Sequence, residues 1–513
     1  MSESADMPAL QRWLITLSTM LAATMQALDM TIANVALPRI QGTVSATQEE
    51  ISWVLTSYII GAAVATPLTG WLVVRTGRRN IFIFCVAAFT LASFLCGIAN
   101  SIEELVIYRL MQGIGGGALL PLSQLVLLDI NPPEKHGQAM ALWASGVTLG
   151  PILGPVLGGW LTEAYTWRWV FFINIPFGIL ATVGLWLYLS DSKRDKGHYF
   201  DFFGFGALIL AIGCFQLMLD RGQVKGWFQS AEIWIEATAA AIFFYLFVIH
   251  TLTSKRSFLP RALLRDRNFV VGTMFGIVVG AMFFSPLALL PAQLQHLMEY
   301  PVITTGMVTA PRGIGMLVAM LIVGRIVNYV DMRFILVAGL LFSAFSLWQM
   351  SQFSLEMGQS LVIWSGVWQG VGIGLLFVPF TTLAFATLEP HLRAEGTAFF
   401  TVFRNIASSA GISLTAALFS RNTQILHSTL AEHVRPDNPL ARAPYMPEHM
   451  SLDHLQGIAA VNAEVTRQAM MMAYANDYWM LMIMTLCAVP LIIFMKKMPK
   501  HENGDGKTIH VMD

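Results

Sequence analysis

Charge is what this sequence has least of. Asp, Glu, Lys and Arg together make up 12% of its 513 residues, against roughly 25% in an average soluble domain. A chain of this length predicts about three soluble domains of ~150 residues, and their surfaces would need far more than 31 acidic and 31 basic side chains. Neither sign prevails, so nothing points to nucleic acid or to an acidic partner. Cysteine is equally scarce. Cys85, Cys96, Cys214 and Cys487 fall at irregular spacing inside apolar stretches, which reads as small apolar fillers and not as a metal or redox motif. The chain also lacks a glycine-rich phosphate loop, a His/Glu metal motif and a nucleophile elbow, so no enzyme activity, metal or cofactor is expected. An ATP-driven pump needs a soluble nucleotide-binding domain, and no loop is long enough to be one.

What is present is apolar. Hydrophobic residues make up 55% of the chain and the mean hydropathy is +0.61, which points to one body dissolved in lipid. A spanning helix needs about 20 mainly apolar residues, because the hydrocarbon core is ~30 Å thick and a helix rises 1.5 Å per residue. Fourteen stretches meet this, near 13–37, 50–73, 80–99, 105–128, 138–161, 169–189, 203–219, 231–250, 269–290, 306–327, 334–352, 360–386, 397–419 and 476–495.

Orientation follows from the cations. Arg75, Arg78, Arg79, Lys135, Lys193, Arg194, Lys196, Lys255, Arg256, Arg261, Arg265, Arg267, Arg325, Arg333, Arg393, Lys496, Lys497 and Lys500 sit in alternate loops or near the C-terminus. The intervening loops hold Glu49, Glu50, Glu103, Glu104, Glu299 and Glu356. Both termini are therefore expected in the cytoplasm, as an even number of spans requires. The first span is too long for a signal peptide and is expected to stay in the mature protein.

The chain repeats itself weakly at an offset of about 255. The loop GWLVVRTGRR, Gly70 to Arg79, is echoed by GRIVNYVDMR, Gly324 to Arg333. Gln112-Gly113-x-Gly115-x-Gly117 is echoed by Gln369-Gly370-x-Gly372-x-Gly374. Parallel repeats around a central pathway are the build of many secondary transporters. Six spans plus six leave spans seven and eight as an insertion. The departures from symmetry carry more: Gly366 stands opposite Arg109 and Pro286 opposite Asp29. A charge present in one half alone points to chemistry and not to packing.

Asp29 is the sharpest feature, because a carboxylate inside a span costs at least ~2.5 kcal/mol and an intramembrane acid is a functional hypothesis by default. Its alternative is a permanent ion pair that fixes helix packing. Arg109 lies at similar depth in span four and keeps its proton, so it would act on the acid's affinity for one; an Arg–backbone network is the other reading. Gly146, Gly150, Gly154 and Gly158 recur every fourth residue and form one face of span five, where another helix can approach closely. Pro151 and Pro155, beside Gly159, remove backbone donors and should bend that helix. In the Gly70–Arg79 loop, with Gly77, any of Arg75, Arg78 and Arg79 could latch to Asp129 at the inner end of span four and bias the balance of two states; plain positive-inside topology is the alternative. Arg312 and Arg404 are further intramembrane cations, able to orient substrates or to pair with backbone carbonyls. Glu236 reads as interfacial, and the many Met and Phe residues suit an adaptable apolar cavity or simple packing. The segment 421–475 reads as a long external loop, broken by Pro436, Pro439, Pro444 and Pro447, with an amphipathic helix carrying Leu452, Leu455, Ile458, Ala459, Val465, Ala469 and Met472.

Together these marks resemble the major facilitator superfamily, in particular its fourteen-span drug–proton antiporters of the EmrB type. The resemblance covers nearly the whole chain. It rests on LDMTIANVALP (Leu28 to Pro38), the Gly70–Arg79 loop, RLMQGIGGG (Arg109 to Gly117), GPILGPVLGG (Gly150 to Gly159) and WRWVFFINIP (Trp167 to Pro176). It continues through Asp201-x-x-Gly204, LDRG (Leu219 to Gly222), RNF (Arg267 to Phe269) and Arg404-Asn405. One departure is Val74, where the superfamily loop usually has an Asp. The resemblance implies an all-α polytopic fold of two six-helix pseudo-symmetric bundles, 1–190 and 269–500, with a two-helix insertion at 191–268 and a tail at 501–513. It implies that spans one and four border a central cavity, where Gln26, Asn34, Gln112, Arg312 and Arg404 are candidates to meet substrate. It marks span five as an antiporter segment and implies a bacterial inner-membrane location, with a periplasmic adaptor and an outer-membrane channel as partners; the external loop is a candidate docking surface for the adaptor or a cap over the cavity.

The function expected is export of hydrophobic or amphipathic compounds in exchange for protons, driven by the proton gradient with no cofactor. Symport or export of a specific metabolite, and a membrane sensor that moves nothing, are the alternatives.

Overall fold

A computed structural model of the chain describes residues 8–132, 135–191, 194, 199–254, 257–326, 329–434, 450, 454–494, 500–502 and 508–510. Among these residues, fourteen helices are long and apolar enough to cross a membrane. They are α1 (Ala9–Val44), α2 (Trp53–Thr76), α3 (Arg78–Ile98), α4 (Ile102–Ile130), α5 (His136–Ala164), α6 (Trp169–Tyr188), α7 (Phe202–Gly222), α8 (Ala231–Thr253), α9 (Arg267–His296), α10 (Thr304–Ile326), α11 (Met332–Ser351), α12 (Gln359–Phe385), α13 (Arg393–Ala431) and α14 (Leu455–Ile492). Each matches one expected span. The outer surface is what lipid demands: Phe84, Leu91, Trp186, Phe202 and Tyr245 are all more than half exposed.

Helices are the economical choice here because lipid offers no partner to backbone N–H and C=O groups. Several of the starts are capped by short polar side chains. Thr47 and Glu50 form a reciprocal capping box ahead of α2. Asp201 accepts from Gly204 N (2.9 Å), from Phe258 N (2.9 Å) and lies 2.8 Å from His250 Nε2, which ties the start of α7 to the end of α8. Asp266 caps α9 by accepting from Phe269 N at 2.8 Å. A two-stranded antiparallel hairpin, β1 (Lys500–Glu502) with β2 (Thr508–His510), follows the last span.

α1 packs on α5 and α6, α2 on α4, and α3 on α4 and α6. In the second set α9 packs on α12 and α13, α10 and α11 on α12, and α14 on α11 and α13. α5 meets α10 and α2 meets α13 across the two sets. α7 and α8 pair with each other, and α7 lies against both α2 and α13.

The ends of the helices that carry the basic loops are closed. A Cβ on Gly70 would come within 2.9 Å of the Glu395 Cα, and the rings of Trp143 on α5 and Phe377 on α12 meet at 6.0 Å.

The segment read as a long external loop is largely helix. α13 runs on to Ala431 and α14 begins at Leu455. α13 is therefore about 58 Å long, well beyond the roughly 30 Å hydrocarbon core. The two extensions touch through His427 Nε2 and Asn462 Oδ1 (3.0 Å) and through the rings of Phe419 and Tyr474 (4.3 Å). The amphipathic helix expected there is thus the first part of α14. Pro436, Pro439, Pro444 and Pro447 lie outside the described residues.

Candidate functional site: a buried acid and its donors

Asp29 has no exposed surface and Arg109 has 1%. Their ion pair joins α1 to α4, with Arg109 Nη1 donating to Asp29 Oδ2 at 2.7 Å. The other carboxylate oxygen is also satisfied. Gln112 Nε2 and Asn174 Nδ2 each donate to Asp29 Oδ1 at 2.9 Å. Both amides also donate to Ser93 Oγ, at 3.1 and 3.0 Å, and that hydroxyl donates to the Phe171 carbonyl at 2.9 Å. The guanidinium is held as firmly: it donates to Gln112 Oε1 (2.7 Å) and to the Val54 carbonyl (3.2 Å), and stands 4.3 Å over the Tyr58 ring.

Five helices thus converge on one carboxylate. An unpaired charge at this depth would cost several kcal/mol, and each donor here offsets part of that. The geometry accommodates an ionised acid. Were the pair to part, Arg109 would keep a carbonyl, an amide oxygen and an aromatic face. Asp29 and Arg109 were the residues singled out from sequence. Gln112, expected as a candidate to meet substrate, is hydrogen-bonded to Asp29. Ser93, Asn174 and Tyr58 were not foreseen, because an isolated polar residue in an apolar span has no spacing that shows its partner.

The glycine face of α5 is applied to α1. A Cβ on Gly150 would collide with the Ala27 and Leu28 backbone, and Gly158 faces Ile32 at 3.0 Å. Thr24 Oγ1 donates to the Gly146 carbonyl at 3.0 Å and Thr31 Oγ1 to the Gly150 carbonyl at 3.2 Å. Both threonines lie on the same helix as Asp29, so the seam fixes where the acid stands. Gly159 is buried beside Gly158, and the helix continues through Pro151 and Pro155 without a break.

Of the three loop arginines, Arg78 reaches Asp129, with Nη1 donating to Oδ2 at 2.9 Å. Arg79 donates instead to the Trp186 carbonyl (2.5 Å), and Arg75 is exposed, 5.0 Å over the Trp71 ring. Gly77, at φ +88°, makes the turn between α2 and α3, a conformation that only glycine adopts at little cost.

Gln26 is buried and Asn34 exposed on the surface of α1. Arg312 Nη2 donates to the Phe283 carbonyl at 3.1 Å, the backbone pairing that stood beside substrate orientation as an expectation. Arg404 lies 5.9 Å over the Phe377 ring, and its buried Nε has no hydrogen-bond partner. Sequence reasoning passed over a further junction. Gln216 Nε2 on α7 donates to Asp220 Oδ1 (2.9 Å) and to Ser409 Oγ on α13 (2.7 Å), while Thr56 Oγ1 on α2 donates to Asp220 Oδ2 (3.4 Å). The LDRG motif thus straps the inserted pair to both sets of helices.

The profile of the Major Facilitator Superfamily matches residues 19–412. The chain is 34% identical over 489 residues to "Multidrug export protein EmrB" of Haemophilus influenzae, covering 95% of this chain and 96% of that one. It is 34% identical over 496 residues to "Fatty acid resistance protein FarB" of Neisseria gonorrhoeae, covering 96% and 97%. To the EmrB of Escherichia coli K12 it is 32% identical over 513 residues, covering 99% and 100%. Among solved structures, the proton:xylose symporter XylE shares the fold with a TM-score of 0.63 at 15% identity, covering 98% of both chains. The human organic anion transporter MFSD10 does so with a TM-score of 0.60 at 12% identity, covering 93% of this chain and all of that one. With fourteen spanning helices, this fold and relatives matched end to end, the chain is a membrane transporter that belongs to the Major Facilitator Superfamily and stands with its EmrB-type export proteins.

Proposed function

We propose that this transporter is a proton-coupled antiporter that exports hydrophobic or amphipathic compounds across a bacterial inner membrane. The observation that carries the reading is Asp29: a wholly buried carboxylate, present in one half only, opposite a cation that cannot deliver a proton. The basic end would face the cytoplasm, with both termini there, and it is closed in this state by Gly70 against Glu395 and by Trp143 against Phe377.

In the proposed cycle Asp29 is ionised and tied to Arg109 until water from the outer side reaches it. Protonation neutralises the acid, releases Arg109, and removes the attraction that draws α1 to α4. Substrate leaves outward as the proton arrives. When the basic end opens, the acid loses its proton toward the cytoplasm, re-forms the pair, and a new substrate enters. The α5 seam keeps α1 in register throughout, which is what the antiporter segment contributes here. The projecting ends of α13 and α14 are the surface we assign to a periplasmic adaptor, itself continuous with an outer-membrane channel. Relatives named as multidrug export proteins support the export direction.

Reconstitution in liposomes with an imposed pH gradient tests this. With ethidium as probe, an antiporter moves the dye against the direction of proton flow, and each dye movement carries a proton signal of opposite sense. Parallel movement of dye and proton would establish symport instead, and an unresponsive vesicle would favour the sensor.

A further inference from the structure

A second buried acid has no place in this cycle. Asp477 on α14 is 1% exposed, and its Oδ2 is buried with no hydrogen-bond partner. No cation pairs with it among the described residues. It lies at the end of the bundle opposite the basic loops, in a layer with Leu297, just past α9, and Phe353, just past α11. Tyr474 and Tyr478, both buried, flank it on α14. Arg312 on α10 is buried and donates to the Phe283 carbonyl. From the other helices packed on α14, α9 contributes Gln293, α11 Met350 and α13 Phe419. The charged or titratable groups at this end of them, His296 on α9, Glu356 just past α11 and Arg421 on α13, are exposed.

The contrast with Asp29 is chemical. Asp29 meets three donors, one of them cationic, and its surroundings suit a carboxylate. Asp477 meets none, and an isolated buried carboxylate takes up a proton in preference to remaining charged. Tyr478 cannot relieve it, because its hydroxyl donates to Gln293 Oε1 at 2.9 Å, and Gln293 Nε2 in turn faces Met471 Sδ at 3.3 Å.

We propose that Asp477 is a second proton-binding site, in the other half of the molecule, reached from the end away from the basic loops and loaded in the state described. Its place in a transport cycle rests on the antiport reading, but its occupancy by a proton does not. Infrared difference spectroscopy of the full chain in phosphatidylethanolamine–phosphatidylglycerol vesicles tests it without any substrate. Near neutral pH, the spectrum of the natural protein minus that of Asp477→Asn should contain a protonated-carboxyl C=O band. That band should shift in heavy water, survive in Asp29→Asn, and return at a displaced position in Asp477→Glu. Loss of an ionised-carboxylate band instead, no change in the carboxyl region, or a band that does not shift in heavy water would each overturn the proposal. A natural protein that fails to couple dye to protons would sink the antiport reading and leave this spectrum unaffected.

Discussion

Arg109 Nη1 and Asp29 Oδ2 lie 2.7 Å apart at the junction of α4 and α1, and neither side chain has more than 1% of its surface exposed. The pair is formed, dry and surrounded by fixed donors. This gives the pair two measurable properties, a large cost when one partner alone is removed and a sensitivity to the shape of the cation.

Arg109→Lys keeps the charge but not the fork. One ammonium cannot reach Asp29, Gln112 and the Val54 carbonyl together while covering Tyr58. The expected loss is about 2 kcal/mol of stability, read as a lower unfolding temperature in detergent. An unchanged midpoint would show that the extra contacts contribute nothing.

Gly150→Ala should force α1 and α5 apart, because its Cβ meets the Ala27 and Leu28 backbone and no flexible side chain can yield. Overpacking of this kind costs ~1–3 kcal/mol. Gly213→Ala on α7 has nothing within 4 Å of the new Cβ and should be neutral or gain up to ~1 kcal/mol from helix propensity. Equal effects at the two positions would contradict the seam.

Arg78→Ala should cost about 2 kcal/mol by removing a charged hydrogen bond to Asp129. Arg75→Ala, at an exposed cation with no carboxylate partner among the described residues, should stay within ~0.5 kcal/mol. Thermal unfolding of the two variants decides it: a loss at Arg75 as large as at Arg78 would mean that the basic loop acts by charge alone.

Gln216→Ala removes the donor shared by Asp220 and Ser409 and should lose about 2 kcal/mol. Asp220→Asn retains an acceptor in the same place and should lose less. The reverse order would show that the carboxylate charge, not the strap between α7 and α13, matters at this junction.

The fold was legible in the sequence for a simple reason. In lipid the length of an apolar run dictates a helix, and all fourteen runs become helices, with α13 and α14 extending well past the outer bounds expected of them. Gly146, Gly150, Gly154 and Gly158 announced their seam because period four is a geometric statement about one helix face. Asp29 and Arg109 stood out because charge in a span is rare. Ser93 and Asn174 did not, since serine and asparagine are tolerable in lipid and their worth lies in partners from other helices. Asp477 was hidden differently. It sits at the edge of the last apolar run, where an acid reads as interfacial, and only the extension of α14 and its packing on α9, α11 and α13 bury it. In the segment 421–475 the amphipathic helix was legible from its periodicity, but the extension of α13 to Ala431 was not, because polar faces on a helix that leaves the membrane look like loop composition.

Proton coupling through Asp29 is the central claim, and Asp29→Asn in liposomes separates coupling from binding. The measurement compares net ethidium efflux driven by a pH gradient with ethidium counterflow at equal pH, a dye-for-dye exchange that needs no proton. Loss of gradient-driven efflux by at least about tenfold, equivalent to 1.4 kcal/mol or more, with counterflow retained, is the expected result. Gradient-driven efflux at the natural rate in this variant would contradict the account.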